Sequence, residues 1–218
     1  MNGTLVSWQP DMVDLSSDDS VTLAGITIVG DGIGVSVRDT LAGEHSRILA
    51  EHGPRAFDSP KEAAAIHEAG HVVAHTAMGG RVRRASIACH ALGGWIGYTE
   101  YRGSNWNISP QSAAVAKWLN VSRNLYAGIA AEMLFDPDPR EGSSLDEVLM
   151  SQFAGHQGAL IADEDPKAFW GTNVHYWLRE TLEKHRETHA EITTHLMRHG
   201  KIDGRPLNEL CAKVRSRS

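Results

Sequence analysis

Cysteine is nearly missing from this chain. Only Cys89 and Cys211 occur in 218 residues, too few and too far apart for a disulfide framework or a cysteine-rich zinc cluster. That usage fits a reducing cytoplasm. Long apolar runs are missing as well. No stretch approaches the roughly 18 uninterrupted apolar residues of a membrane span, and the N-terminus lacks the basic start and apolar core of a signal peptide. The sequence therefore predicts a cytoplasmic protein without membrane insertion. A surplus of positive charge is also lacking: 21 Lys and Arg face 27 Asp and Glu, a formal charge of -6, which argues against nucleic acid as the main partner. Nor is there a nucleotide loop. Gly30, Gly32 and Gly34 cluster, but no Lys-Ser/Thr pair completes a Walker motif and no helix signal follows directly.

What remains is ordinary globular composition, 41% hydrophobic and 22% charged, in a chain long enough for one well-filled domain with an appendage. Its most informative stretch is Lys61 to Met78, KEAAAIHEAGHVVAHTAM. The stretch reads as an amphipathic helix. Ser59-Pro60-Lys61-Glu62 offers a capping box with proline at the first helical position, and Gly79-Gly80 stops the run. Within it, His67-Glu68-Ala69-Gly70-His71 forms an HExxH pentad. The two histidines are one helical turn apart and share a face, so both imidazoles can bind one metal ion. Glu68 then stands beside the open coordination position, where a carboxylate can take a proton from water. The competing reading is a buried helix whose histidines only make hydrogen bonds.

Around this helix the chain alternates between weak strand and strong helix signals. Residues 1 to 20 are polar and acidic, as expected of a leader. The β-branched runs Val21 to Val29 and Ile33 to Val37 flank Gly30-Asp31-Gly32 and predict a β-hairpin. Residues 40 to 58 read as a linker in which His45 and His52 are solvated. Arg81 to Ala88 and Ala91 to Tyr101 predict two short strands, whose edge can pair with an extended peptide. A long helix is predicted from Ser109 and Pro110 to about Phe135, burying Ala113, Ala114, Leu119, Leu125, Ile129, Ala130 and Met133. Its small residues Ala127 to Ala131 invite close approach by another helix.

Glu132, an acid among apolar neighbours, reads either as a surface residue or as a group orienting a metal-bound histidine. Ser144 and Glu147 predict a capping box for a further helix. Asp146 in its first turn either complements the helix dipole or points at a metal, and the local sequence leaves both open. Helical signals resume from Asp163, break near Gly171 and run from Asn173 to His199. Along that run His185, His189, His195 and His199 read as a solvated face. A short helix over Leu207 to Val214 closes the chain. The expected fold is mainly α with a small β-sheet (α+β), divided into an appendage over 1–57 and a main domain over 58–218.

Several segments, in order, resemble the peptidase domain of the FtsH family of ATP-dependent zinc metalloproteases. His67-Glu68-Ala69-Gly70-His71-Val72 resembles that family's HEAGH signature. Ala91-Leu92-Gly93-Gly94-Trp95-Ile96-Gly97-Tyr98-Thr99 is similar to its "GG-aLGYT" segment, and Ala127 to Phe135 to its "GGRAAEELIFG" helix. Gly142-Ser143-Ser144-Leu145-Asp146 falls where the family carries "GASND", and His199 to Gly204 resembles its "ETLDG" end. The resemblance covers roughly residues 58 to 212. It implies that His67, His71 and Asp146 bind Zn²⁺, that Glu68 is the general base, and that Glu132 supports a histidine from behind. The implied substrate is a peptide or unfolded protein.

This chain departs from the family in having neither an AAA ATPase module nor membrane helices. The resemblance therefore implies a peptidase that cuts peptides or loose segments unaided, or that borrows an AAA ATPase in trans. Ile129 replaces the family arginine, and Gln152-Phe153-Ala154-Gly155 departs from the expected pattern. Both changes bear on substrate binding and on the homo-oligomer the family forms. A silent regulatory or protein-binding module that keeps the fold is the alternative. Retention of Glu68 speaks against it, because a scaffold has no need of a base.

Overall fold

The computed structural model describes residues 13–14, 17–23, 26–29, 32–53, 59–89, 94–102, 106–108, 114–139 and 144–216. Its centre is the helix that follows Pro60, α2 (Lys61–Ala77). Proline suits this entry because its fixed φ leads into a helix and its missing N–H would have had no partner there. The predicted capping box does not form: Pro60 precedes the helix and no side chain caps it. Ser59 instead uses its backbone carbonyl, which accepts a hydrogen bond from Trp95 N–H at 2.8 Å. At the other end Gly79 takes φ 83°, and the N–H groups of Gly79 and Gly80 return to the carbonyls of Thr76 and His75. This is a glycine stop.

Helix α2 is not half-exposed as an amphipathic helix would be. Every residue from Ala63 to Thr76 is buried, including the polar His67, Glu68, His71, His75 and Thr76. Small side chains make this possible. Helix α3 (Val115–Phe135) crosses it so closely that a Cβ on Gly70 would lie 2.6 Å from both the Ala127 carbonyl oxygen and the Ala131 methyl. The small residues of α3 do admit another helix. Met133, expected in the buried stripe, is instead 56% exposed, while Trp118, Val121 and Tyr126 face inward. The predicted start of α3 at Ser109 and Pro110 lies outside the described residues.

On the opposite flank a three-stranded antiparallel sheet of order β5-β4-β7 lies against α2, formed by β4 (Val82–Cys89), β5 (Trp95–Tyr101) and β7 (Lys201–Asp203). Helices α6 (Trp177–Lys184), α7 (Arg186–His199) and α8 (Gly204–Ser216) close the remaining sides. Their buried Leu178, Leu182, Ile192, Leu196, Leu207 and Val214 share one core with Val72, Val73 and Ile87.

The long helix predicted over Asn173 to His199 is divided. After α5 (Pro166–Trp170) the chain makes a π-helical turn over Gly171–Tyr176, runs into α6, and turns at His185 (φ -110°, ψ 20°) into α7. The turn buries His185 and His189, so these two are not part of a solvated face; His195 is half-buried and His199 exposed. Burial holds His189 neutral, with its pKa lowered to about 4, and its Nε2–H donates to the Ile66 carbonyl at 3.0 Å.

The N-terminal region contains a hairpin, but with a different second strand. β2 (Ser20–Leu23) pairs antiparallel with β3 (Ile26–Val29), and β1 (Val13–Asp14) and β6 (Trp106–Ile108) complete a four-stranded sheet. Ile33 to Val37, expected as a strand, opens α1 (Ile33–His52), which also takes in most of the expected linker. Gly32 turns the chain at φ 66°. Ile33 and Val37, one helical turn apart, then join Val21, Trp118, Leu125 and Met150 in a second buried cluster. Gly34 is needed there because any Cβ would strike the Ser17 carbonyl. Helix α4 (Leu145–Ala162) packs on α3 through the Ser122 and Ser151 hydroxyls, 3.0 Å apart. Among the described residues no helix is long and apolar enough to cross a membrane.

Two stability predictions follow from this packing. Gly70→Ala gains about 1 kcal/mol of helix propensity but overpacks a backbone carbonyl that cannot move aside, at about 1–3 kcal/mol. A net loss is expected, read as a lower melting temperature by differential scanning calorimetry. His189 ionises readily in the unfolded chain but resists ionising when folded, so its contribution is complete above pH 6.5 and is lost as pH falls towards 4. Denaturant titrations should show wild type losing up to about 3 kcal/mol more than His189→Gln across that window.

Candidate metal centre

Three side chains from two helices converge beneath the sheet. His67 and His71 project one turn apart from α2, and their Nε2 atoms face each other at 3.0 Å. Glu147, in the first turn of α4, places Oε2 3.0 Å from His67 Nε2 and Oε1 3.7 Å from His71 Nε2. These are the residues that can offer one ligand atom each to a common ion, all within 4.8 Å of one another. All three are buried.

The carboxylate joining the histidine pair is therefore Glu147, whereas the resemblance implied Asp146. Both acids sit in the first turn of α4, but successive helical residues project about 100° apart. Glu147 is the one whose carboxylate reaches the histidines of α2. Glu147 was expected to close a capping box with Ser144; Ser144 makes no side-chain cap, and Glu147 turns inward. Asp146 lies beside the centre without joining the group. Its carboxyl is pushed up to about 7 by burial and by the neighbouring Glu147 charge. The Gly142-Ser143 stretch that carried the resemblance lies outside the described residues.

Glu132 reaches the centre from α3. It is 5% exposed, and its Oε1 lies 2.5 Å from Nδ1 of His67. A carboxylate there holds a proton on Nδ1, so in the neutral ring the lone pair of His67 is on Nε2, the nitrogen that faces the cluster. The close helix crossing makes this contact possible: the His67 ring occupies the space a Cβ on Gly128 would need.

Electrostatics favour a cation at this point. Burial opposes charge on His67, yet Glu147 and Glu132 together raise its pKa well above the ordinary value. Burial alone would also raise the Glu147 carboxyl, but the two imidazoles hold it well below the usual carboxylate range. Two imidazole nitrogens and a carboxylate oxygen that converge inside a protein interior repel one another unless a proton or a metal ion lies between them. The donor set N, N, O suits a borderline divalent ion such as zinc, and the residues fit it.

Glu68 stands next to this cluster. It is buried, accepts a hydrogen bond from the Thr99 hydroxyl at 2.5 Å through Oε2, and lies against Gly97. Burial raises its pKa; His71, His67 and the Thr99 hydroxyl pull it down. Farther along α2, His75 stacks on Tyr101 with ring centroids 4.1 Å apart, and burial lowers its pKa to about 4.

No protein-family profile matches the chain, and no curated protein matches it.

Metal analysis after dialysis separates the two acids of α4. Glu147→Ala should lose the bound ion, Asp146→Ala should retain it, and Glu132→Ala should bind about 10–100-fold more weakly through loss of the supporting hydrogen bond. Loss of the ion in Asp146→Ala with retention in Glu147→Ala would reverse the assignment.

Proposed function

We propose that this protein is a zinc metalloendopeptidase that hydrolyses peptide bonds in peptides or unfolded proteins. One juxtaposition carries the reading: Glu68, a buried acid adjacent in sequence to His67, lies beside the His67–His71–Glu147 cluster. A cluster that merely stored a metal would gain nothing from burying a further acid next to it, since that acid costs desolvation.

His67, His71 and Glu147 would hold the ion, and Glu132 would keep the His67 lone pair directed at it. Zinc bound there supplies Lewis-acid polarisation of a scissile carbonyl and lowers the pKa of water. Glu68 takes the proton from the attacking water and delivers it to the departing amine, so it ends the cycle as it began. Burial raises the Glu68 carboxyl pKa, which makes it a better proton acceptor than an exposed carboxylate. Among the described residues β5 is the outer strand of its sheet, and such an edge would offer backbone groups to an extended substrate.

The ordered FtsH-like motifs support the same chemistry, with glutamate rather than aspartate as the third ligand. On this reading the chain acts in the cytoplasm, on loosely folded segments or with an AAA ATPase working in trans, and homo-oligomers are compatible with it. A silent binding module is the alternative, and one substitution separates the two. Glu68→Gln should retain zinc and lose peptide hydrolysis by about 10²–10⁴-fold, measured on casein and on a quenched-fluorescence peptide library. Equal turnover by wild type and variant across those substrates removes the enzyme reading.

A further inference from the structure

Strand β5 does more than flank the centre. Alternate residues of a strand face the same side, so Gly97, Thr99 and Tyr101 form one row, and that row lies on α2. Gly97 meets the Glu68 carboxylate, Thr99 bonds it, and Tyr101 covers His75. The first two contacts act on one side chain from two directions. A Cβ on Gly97 would overlap Glu68 Cγ, Cδ and Oε1, so the absence of a side chain there is what lets the carboxylate rest against the strand. Two residues on, the Thr99 hydroxyl, itself buried, donates to Oε2.

Glutamate has three rotatable bonds, and its terminal torsion is broad. Glu68 therefore needs external constraints to present one oxygen in one direction. We infer that Thr99 is a positioning residue for Glu68, with its hydroxyl binding Oε2 and Gly97 giving the carboxylate its seat, so that the carboxylate is held in one orientation next to the His67–His71–Glu147 cluster. The inference rests on the peptidase reading for its chemistry, but the geometric clamp stands apart from that reading.

The strand is well placed to act as a clamp. Thr99 pairs with Ala85 and Gly97 with Ile87 on the central strand β4, and both partners are buried in the core. The N–H of Trp95, at the start of β5, is tied to Ser59 beside the entry of α2. The strand is thus tied to the core on one side and to the entry of α2 at its start, and this backbone delivers the hydroxyl. A threonine also suits the site better than a longer donor, because its β-branched side chain has a restricted χ1.

The test compares Thr99→Val, which keeps the shape and removes the hydroxyl, with Thr99→Ser, which restores it. Zinc content should be unchanged in both. With a peptide substrate, kcat should fall about 10–100-fold in the valine variant with KM within about twofold, and serine should recover to within a fewfold of wild type. Wild-type kcat in Thr99→Val, or an equal loss in Thr99→Ser, overturns the inference. Should valine fail to fold, Thr99→Ala reads the same loss.

A crystal structure of the valine or alanine variant supplies a readout independent of turnover. The Glu68 carboxylate should leave its position against Gly97; a carboxylate that stays in place overturns the clamp. If wild type binds zinc but cleaves nothing, the peptidase reading falls, and the crystal structure alone decides whether Thr99 holds Glu68.

Discussion

The site depends on how closely two helices cross. Gly70 on α2 sits against Ala127 and Ala131 on α3, and Gly128 on α3 yields its side-chain volume to the His67 ring. Larger residues at these points would move the helix axes apart, and Glu132 would no longer reach His67 Nδ1 at 2.5 Å. That hydrogen bond keeps Nδ1 protonated, so Nε2 is the nitrogen that carries the lone pair when His67 is neutral. The chemistry of the cluster thus rests on side chains that are missing as much as on those present. Close packing gives the interior little room to absorb an added methyl, which makes the crossing distance a strict constraint.

The same economy recurs on the other face of α2. Gly97 and Gly80 lie where a side chain would collide with Glu68 and His75 respectively. Polar groups are buried along the whole helix, and such burial is costly unless a group is paired or shares a proton or ion. His67 has Glu132 and Glu147, Glu68 has Thr99, and His189 of α7 satisfies the Ile66 carbonyl just before the pentad. Helix α2 therefore carries His67, Glu68 and His71 through the middle of a core that its own alanines and valines help to build. Its placement between α3 and the sheet, with α4 bringing in Glu147, buries His67, His71 and Glu147.

Local patterns and tertiary packing were legible to different degrees. The pentad, the strands β4 and β5 and the glycine stop after Met78 rest on short-range rules, and each has a counterpart in the folded chain. Ile33 to Val37 did not behave as its β-branched residues suggested. One helical turn brings Ile33 and Val37 together onto Trp118 and Met150, and burial there outweighs a preference worth at most about 1 kcal/mol. His185 and His189 looked solvated because charged residues surround them in sequence, yet the turn at His185 directs both into the core.

By itself, the sequence determined the helix that carries His67, Glu68 and His71, since helical periodicity alone places two imidazoles on one face with an acid between them. It also marked Glu132 as an acid out of place among apolar neighbours. Which acid joins the histidine pair was decided only by tertiary structure. Asp146 and Glu147 are adjacent acids in one helical turn, and nothing local distinguishes the one facing α2 from the one turned about 100° away. That outcome follows from the rotation of α4 about its own axis, which its packing on α3 sets. The clamp on Glu68 has the same origin, because Thr99 meets it across 31 residues of chain, and only the stacking of sheet on helix brings them together.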